Sequence, residues 1–345
     1  MPTITLGRTG IVTDKNGFGA LPVQRVTKEE AAALLCRAYD GGITFFDTAR
    51  AYTDSEEKIG YAISDIRSHI FIATKTAAMT ADGFWEDLET SLTLLKTDYL
   101  DIYQFHNPDF CPKPDDGTGL YEAMLKAKEQ GKVRFIGLTN HRIAVAREAI
   151  ESGLYDTLQF PFCYLSAGPD LELVNSCTER NMGFIAMKSL SGGLITNAAA
   201  AYAFAAQYDN VLPIWGIQKE HELEEFLRYV KEPPVMTEEL RALIETDRRQ
   251  LAGSFCRGCG YCMPCPAGIE INNCARMSLL LRRSPSASHL SQEGQEKMRK
   301  IKDCLHCNQC VGKCPYGLNT PELLERNLKD YEEVLAGKVM TAGNF

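Results

Sequence analysis

The chain has 345 residues, 45% hydrophobic and 24% charged, which is typical of globular proteins and unlike disordered chains. Its net charge of -8 argues against non-specific binding to nucleic acid. No apolar run approaches the roughly 20 residues that cross a bilayer, and the opening MPTITLGRTG lacks the basic and apolar parts of an export signal. We therefore expect a cytoplasmic protein that does not contact membranes.

Short apolar runs rich in β-branched and aromatic residues alternate with amphipathic stretches through the first 230 residues. This alternation is typical of repeated βα units, with helices predicted at Lys28–Asp40 and Glu220–Val230. The eight predicted strands are Gly17–Gly19, Thr44–Asp47, Ile70–Thr74, Leu100–Phe105, Val133–Leu138, Thr157–Phe160, Gly183–Met187 and Val211–Gly216. Eight parallel strands joined by helices close into a TIM barrel, whose chemistry lies just after the strand ends.

The βα pattern stops at Lys231-Glu-Pro-Pro234, where proline prevents a helix from continuing. We predict a (β/α)8 barrel over residues 1–232 and a smaller, helical region over 233–345. The total length agrees, because a single barrel needs only about 250 residues. A polar helix is predicted at Thr237–Gln250, ahead of two cysteine motifs at 256–265 and 304–314.

Nine of the thirteen cysteines lie between Cys256 and Cys314. In a reducing compartment, metal or redox chemistry explains such a group better than disulfides do. The run beginning at Cys304 reads C-x2-C-x2-C-x3-C-P, the spacing of bacterial two-cluster ferredoxins, and the upstream run has a last gap one residue shorter. We predict a ferredoxin-like domain with two 4Fe-4S clusters, whose ligands are Cys256, Cys259, Cys262, Cys265, Cys304, Cys307, Cys310 and Cys314.

The pairing of these ligands has two alternatives. In the crossed pattern of ferredoxins, Cys314 completes the cluster of the upstream triplet and Cys265 completes that of the downstream triplet. A direct local assignment stays open. Structural zinc is the rival, but it prefers pairs of knuckles around one ion and fits triplets followed by Cys-Pro poorly. Cys274, between the motifs, is predicted to be a buried structural thiol.

Polar residues end three successive predicted strands. Asp47 is the last residue of the second strand, Lys75 and His106 come at the ends of the third and fourth, directly after Thr74 and Phe105, and Tyr52 lies in the loop after the second. A buried lysine needs a carboxylate partner, which Asp47 could supply, because an unpaired ammonium costs several kcal/mol. The ammonium should lower the pKa of a neighbouring phenol and make it a proton donor. These four residues are the predicted catalytic group.

Residues 1–230 resemble the aldo-keto reductase family in the segments LGRTG, FFDTARAY, FIATK, DYLDIYQFHNPD, IGLTN and PIWGIQKEHELEEF. The resemblance implies that Tyr52 is the general acid, that Lys75 and Asp47 tune it, and that His106 orients a substrate carbonyl. The C-terminal cysteine runs are similar to those of one branch of these reductases, which ends in a two-cluster ferredoxin segment.

The resemblance also implies a nicotinamide cofactor. Its carboxamide would be held by Thr139, Asn140 and Gln159, while Met187 stands where many members stack a tyrosine and Lys188 is the nearest spare cation.

The segment that would grip an adenosine 2′-phosphate departs from the family pattern. Gly216-Ile217 and Glu222 stand where the family usually has Lys-Ser and Arg. Glu222 would repel a phosphate dianion, although Lys219 could partly compensate. NAD(P)H is therefore the expected cofactor, with a weakened grip on NADPH, and a flavin stays open.

The leading hypothesis is an oxidoreductase that acts on a carbonyl or alcohol substrate, with Tyr52 as general acid/base and the clusters relaying electrons. Coupling one-electron clusters to a hydride carrier needs a flavin-like splitter or a substrate that tolerates one-electron steps. One alternative is a plain NAD(P)H-dependent reductase with structural clusters. Another is a non-catalytic electron-transfer or interaction protein on the same barrel.

A basic stretch lies between the two cysteine motifs. Its members are Arg276, Arg282, Arg283, Lys297, Arg299, Lys300 and Lys302. They form either a solvated surface or a docking face for an acidic ferredoxin or flavodoxin. The substrate is expected to be a small carbonyl compound, and the sequence fixes neither its identity nor the oligomeric state.

Overall fold

The structure is a computed structural model that describes residues 3–166, 168–251, 255–258, 260, 262–283, 286–314, 317–339 and 341. The chain forms two compact units, one of residues 1–189 and 198–237 and the other of 190–197 and 238–345. Within the described ranges, no helix is long and apolar enough to cross a membrane. The predicted domain boundary after residue 232 stays a prediction.

The first unit is a closed parallel barrel preceded by a small antiparallel sheet. That sheet pairs β1 (Thr3–Thr5) with β2 (Val12–Asp14) and was not predicted. The barrel strands are β3 (Gly17–Gly19), β4 (Phe45–Asp47), β5 (Phe71–Thr76), β6 (Leu100–His106), β7 (Val133–Thr139), β8 (Thr157–Pro161), β9 (Gly183–Met187) and β10 (Val211–Gly216). They pair in sequence order and β10 closes on β3, which confirms the predicted (β/α)8 fold.

Helices connect the barrel strands. They are α1 (Lys28–Asp40), α2 (Ser55–Ile63), α3 (Ala81–Leu95), α4 (Leu120–Glu129), α5 (Ile143–Ser152), α6 (Gly168–Glu179), α7 (Ala198–Ala205) and α8 (Glu220–Lys231). The first begins with a capping box, in which the Thr27 hydroxyl accepts from the Glu30 backbone and the Glu30 carboxylate accepts from the Thr27 backbone. This reciprocal pair satisfies two backbone donors and fixes the start of α1.

The hairpin made by β1 and β2 contributes to the barrel core. Ile4, Leu6 and Ile11 are buried in one cluster with Phe45, the first residue of β4, and with the partly buried Phe71, the first residue of β5. Apolar side chains therefore fill the N-terminal end of the barrel. The C-terminal end is left for polar side chains, as in other barrels of this type.

The second unit is helical. Its helices are α9 (Glu238–Leu251), α10 (Ile271–Cys274), α11 (Met277–Arg283), α12 (Ala287–Leu290), α13 (Gln292–Arg299), α14 (Gln309–Gly312) and α15 (Thr320–Leu335). The Asn327 side chain on α15 accepts from the Ser278 backbone at 2.8 Å, and the Tyr331 hydroxyl donates to the His289 carbonyl at 2.6 Å. Helices α10 to α14 are too short to be stable alone, so they depend on such contacts.

Candidate active site and cluster region

The C-terminal ends of β4 and β5 hold a buried ion pair. The Lys75 ammonium lies 2.7 Å from both carboxylate oxygens of Asp47 and donates a third hydrogen bond, of 2.5 Å, to the Thr48 carbonyl. Lys75 and Asp47 are almost completely buried. The ammonium thus has its expected carboxylate partner, and its three protons are all used.

Tyr52 and His106 lie against this pair. Their rings meet edge to face with centroids 5.8 Å apart, and the Lys75 ammonium lies 5.4 Å from the Tyr52 ring centroid. The structure therefore brings together all four residues of the predicted catalytic group. Their catalytic roles stay predictions.

The environment of Tyr52 differs from the sequence-based expectation. Burial, and after it the negative charge of Asp47, raises the pKa of Tyr52 above its ordinary value. The expected lowering by Lys75 was wrong, because the Lys75 ammonium directs its hydrogen bonds at Asp47 and Thr48. Tyr52 is therefore a protonated phenol at neutral pH and a weaker acid than an exposed tyrosine.

His106 is a neutral imidazole. Burial and the nearby Lys75 charge lower the pKa of His106 to about 4. Among the described residues its buried Nδ1 has no hydrogen-bond partner. His106 also borders a cleft of about 660 Å³, counted with its open mouth, that includes Thr76 at the end of β5 and Arg142 after β7. A substrate carbonyl in this cleft would meet a neutral hydrogen-bonding ring.

A second histidine at the barrel mouth was missed by the sequence analysis. Burial, followed by the charges of Lys188, His106 and Arg142, lowers the pKa of His141 to about 3. Within the described part of the chain, its buried Nδ1 has no hydrogen-bond partner. The available signal was its position, directly after Thr139 and Asn140 at the end of β7.

Two of the predicted carboxamide-binding residues are already hydrogen-bonded within the protein. The Asn140 side-chain oxygen accepts from the next two backbone N–H groups at 2.9 and 2.8 Å, and its nitrogen donates to the Pro108 carbonyl at 2.8 Å. Gln159 accepts from Gln104 at 2.8 Å and donates to Asp47 at 3.3 Å. A carboxamide would have to share or replace these hydrogen bonds.

The remaining predicted cofactor residues lie at the ends of β9 and β10. Met187 ends β9, with its sulfur 4.0 Å from the Thr139 hydroxyl, and Lys188 follows in the left-handed region at a φ of 55°. Gly216 ends β10 and is exposed, and Lys219 immediately precedes α8.

The N-terminus of α8 is capped by an acid from its own first turn. The Glu222 carboxylate accepts from the Gln218 backbone at 2.8 Å and the Lys219 backbone at 2.9 Å. These are the N–H groups that a helix start offers to an anion. Glu222 therefore supplies a negative charge where a phosphate would otherwise be stabilised.

The cysteines of the second unit line a common cavity. Its wall contains Cys262, Cys265, Cys304, Cys307 and Cys310, surrounded by apolar and amide side chains. In the described ranges, no three His, Cys, Asp or Glu side chains are arranged to hold a single metal ion. Thiols converging on an apolar cavity fit an iron-sulfur cluster. Cys262 and Cys265 both line this cavity, so the ligand pairing stays a prediction.

The upstream motif is described only in part. Cys256 is buried, and the Gly258 backbone N–H donates to its sulfur at 3.3 Å. Cys259 lies outside the described residues, as does Pro315 after the half-buried Cys314. Cys274 is buried with its sulfur 3.7 Å from the Lys297 carbonyl, and burial raises its thiol pKa to about 12. This environment suits a structural thiol.

Several cations of the basic stretch are paired with carboxylates. Arg282 binds Asp330 through two nitrogens, at 2.7 and 2.6 Å. Lys297 pairs with Glu270 and Glu293. Further pairs join Lys300 to Asp303 and Lys302 to Glu332. The Arg283 side chain lies outside the described structure. Much of the positive charge is therefore locally compensated.

Comparison with curated proteins finds oxidoreductases. The chain is 28% identical over 211 residues to L-galactose dehydrogenase of Arabidopsis thaliana, a match that covers 55% of this chain and 66% of that protein. It is 30% identical over 215 residues to the aldo-keto reductase YhdN of Bacillus subtilis, covering 57% of this chain and 64% of that protein. The match thus spans just under two thirds of each relative.

Solved structures show the same fold. A crystal structure of an aldo/keto reductase from Klebsiella pneumoniae, in complex with NADP and acetate, superposes with a TM-score of 0.61 at 22% identity, covering 71% of this chain and 94% of that one. A 4Fe-4S dicluster domain model matches residues 255–319. The aldo/keto reductase family model matches residues 15–200, more than half of the chain. The chain therefore belongs to the aldo/keto reductase family and carries a C-terminal 4Fe-4S dicluster domain.

Proposed function

We propose that this oxidoreductase interconverts a small carbonyl compound and its alcohol, with Tyr52 as the general acid/base and the 4Fe-4S clusters exchanging electrons with an external carrier. The observation that carries the proposal is the meeting of Tyr52 and His106 beside the buried pair of Lys75 and Asp47. His106 also borders the cleft that would admit a substrate.

The protonation states of Tyr52 and His106 favour carbonyl reduction at neutral pH. Reduction of a carbonyl to an alcohol consumes two electrons and two protons, and Tyr52 carries a proton at neutral pH that it could transfer to the oxygen. Neutral His106 can donate a hydrogen bond to the same oxygen without bringing a second positive charge next to Lys75. In the oxidative direction Tyr52 would have to be a phenolate, so alcohol oxidation should become faster as the pH rises.

A nicotinamide cofactor would supply the electron pair as a hydride. The Klebsiella relative binds NADP, which supports this assignment. In this chain Glu222 occupies the helix start that could stabilise an added phosphate. We therefore propose that NADH is used at least as well as NADPH.

The clusters would carry single electrons. Passing these to or from a hydride carrier would need a two-electron splitter such as a flavin, or a substrate that accepts one electron at a time. Cys307 and the neighbouring Leu305 are exposed, and 66% of the Leu305 surface is accessible to solvent. A cluster held by this loop would lie close to the surface, as exchange with a soluble carrier requires. A ferredoxin or flavodoxin is the proposed partner class, although the ion pairs among Arg282, Lys297 and their neighbours leave little uncompensated charge for docking.

The deciding experiment measures carbonyl reduction by the anaerobically purified chain. Iron and sulfide are quantified first, and a panel of small aldehydes and ketones is then tested with NADH, NADPH and a reduced ferredoxin. Tyr52→Phe should lower kcat by roughly 10²- to 10⁴-fold, the usual contribution of a general acid. Tyr61→Phe, a half-exposed tyrosine on α2, is the matched control and should change nothing.

The outcomes separate the hypotheses. Undiminished turnover of Tyr52→Phe with every substrate would contradict the acid/base role. If removal of the clusters leaves NADH-dependent turnover intact, and the reduced ferredoxin supports none, the clusters are structural and the electron-relay part is wrong.

A further inference from the structure

A half-buried arginine, Arg276, lies beside the upstream cysteine motif. Its Nε atom is buried and has no hydrogen-bond partner among the described residues. No carboxylate of the described structure is paired with it.

Two glycines make room for the guanidinium. A Cβ on Gly258, within the cluster motif, would lie 2.9 Å from Nη1 of Arg276. A Cβ on Gly192 would lie 2.9 Å from Nη2. Gly258 and Gly192 also have φ of +67° and +64°, where larger residues are strained. The backbone can therefore approach the cation closely on both sides.

The same geometry brings the cation near the Cys256 sulfur. The Gly258 N–H donates to that sulfur at 3.3 Å, while the other side of Gly258 faces Nη1 of Arg276. The Asn272 carbonyl lies 3.9 Å from the sulfur and 3.6 Å from the Cβ position of Gly258. Arg276 and the sulfur thus share one small neighbourhood.

A cation whose Nε is buried without a hydrogen-bond partner is costly, so a nearby anion would stabilise it. A cluster bound by four thiolates is anionic and gains one further negative charge when it is reduced. The net charge around a cluster, hydrogen bonds to its sulfurs and its exposure set its reduction potential. A fixed positive charge nearby stabilises the reduced form more than the oxidised form.

We propose that Arg276 is an electrostatic tuning residue that provides the counter-charge for the cluster bound by Cys256 and raises the reduction potential of that cluster. The inference goes beyond the proposed reaction and rests only on the presence of the dicluster domain. It assigns Arg276 no contact with the carbonyl substrate.

The test is a redox titration of the anaerobic holoprotein, followed by electron paramagnetic resonance. In Arg276→Gln, one of the two one-electron steps should move to lower potential by at least about 59 mV. This shift corresponds to a tenfold lower ratio of reduced to oxidised cluster at a fixed potential. The other step should stay in place. Arg276→Lys keeps the charge and should stay closer to the wild type.

Arg282→Gln is the matched control, since Arg282 lies on α11 near Arg276 in the chain but is paired with Asp330. It should leave both steps unchanged. If Arg276→Gln cannot retain iron, a full iron and sulfide content in Arg276→Lys still supports a role for the charge. Two clusters at wild-type potentials in Arg276→Gln would overturn the inference, as would loss of iron from Arg276→Lys as well. A wild-type chain without iron and sulfide would instead overturn the cluster half of the proposed function.

Discussion

The two units of the chain position their functional residues by different means. In the barrel, Asp47 and Lys75 are fixed by adjacent strands whose backbones pair residue by residue, and their charges satisfy each other. In the second unit, the cysteines come from loops and from the short helix α14, and α15 holds neighbouring segments by single hydrogen bonds. The barrel site is thus built before any ligand binds, whereas the cysteine region should depend on its clusters for order.

The largest expected effect is therefore cluster removal. Chelation of iron from the intact chain should remove the protection of residues 262–314 against amide hydrogen exchange. The protection of strands β5 to β7 should not change, because only the short helices depend on bound clusters for their stability. Hydrogen exchange with mass analysis of the apo and holo chains measures this. Equal protection of residues 262–314 in both forms would show that the second unit, like the barrel, is ordered without its clusters.

The buried ion pair offers the next largest effect. Lys75→Met should destabilise the barrel by about 3–5 kcal/mol, because it leaves the Asp47 carboxylate buried without its partner. Lys28→Met removes an exposed pair with Glu57 and should cost far less, because water screens that pair. Denaturant unfolding of the two variants tests the contrast. Equal losses would mean that burial does not govern the energetics of these pairs.

Acid should weaken the barrel mouth through its histidines. The pKa values of His106 and His141 are lowered from 6.5 to about 4 and about 3, so the unfolded chain binds these protons first as the pH falls. Their stabilising contribution is complete above pH 6.5 and decreases towards the folded-state pKa values, by roughly 3 kcal/mol at most for His106.

Unfolding free energies at several pH values measure this loss. His141→Phe should make the unfolding free energy depend less on pH. Acid effects that arise in the cluster region are the same in the variant and the wild type, so they cancel in the difference between the two. An unchanged pH slope in this variant would contradict the burial of a neutral His141.

The smallest effect concerns cofactor choice. Glu222→Gln removes a negative charge from the start of α8 and should strengthen NADPH binding relative to NADH by up to about tenfold, or roughly 1.4 kcal/mol. Titration of both dinucleotides by fluorescence measures the ratio. Glu224→Gln, on the same helix but paired with Arg37, is the control. Parallel changes for both cofactors would argue against a phosphate-specific effect.

Much of the barrel could be predicted because strand ends carry its chemistry. Gly17–Gly19, Gly183–Met187 and Val211–Gly216 agree with the structure at both ends. The hairpin of Thr3–Thr5 and Val12–Asp14 was missed, since each strand has a single apolar residue among polar ones and shows no hydrophobic period.

The sequence predicted which residues form the site, but it did not predict their pKa shifts. The sequence placed Asp47, Tyr52, Lys75 and His106 together, yet the pKa of Tyr52 moves in the opposite direction from the one expected. That sign depends on desolvation and on where the ammonium hydrogen bonds point, which spacing does not reveal. The internal hydrogen bonds of Asn140 have the same origin, because they depend on how the chain turns after β7.

The assignment of residues 190–197 to the second unit has a consequence for how the molecule assembles. The polypeptide leaves the barrel after Ser189, returns at Ala198 and leaves again after Thr237, so three peptide linkages join the units instead of one. Synthesis from the ribosome delivers 190–197 long before 238–345. We expect residues 190–197 to stay unfolded until residues 238–345 have been made. In a chain that ends at Thr237, proteases should therefore cleave 190–197 faster than in the full chain.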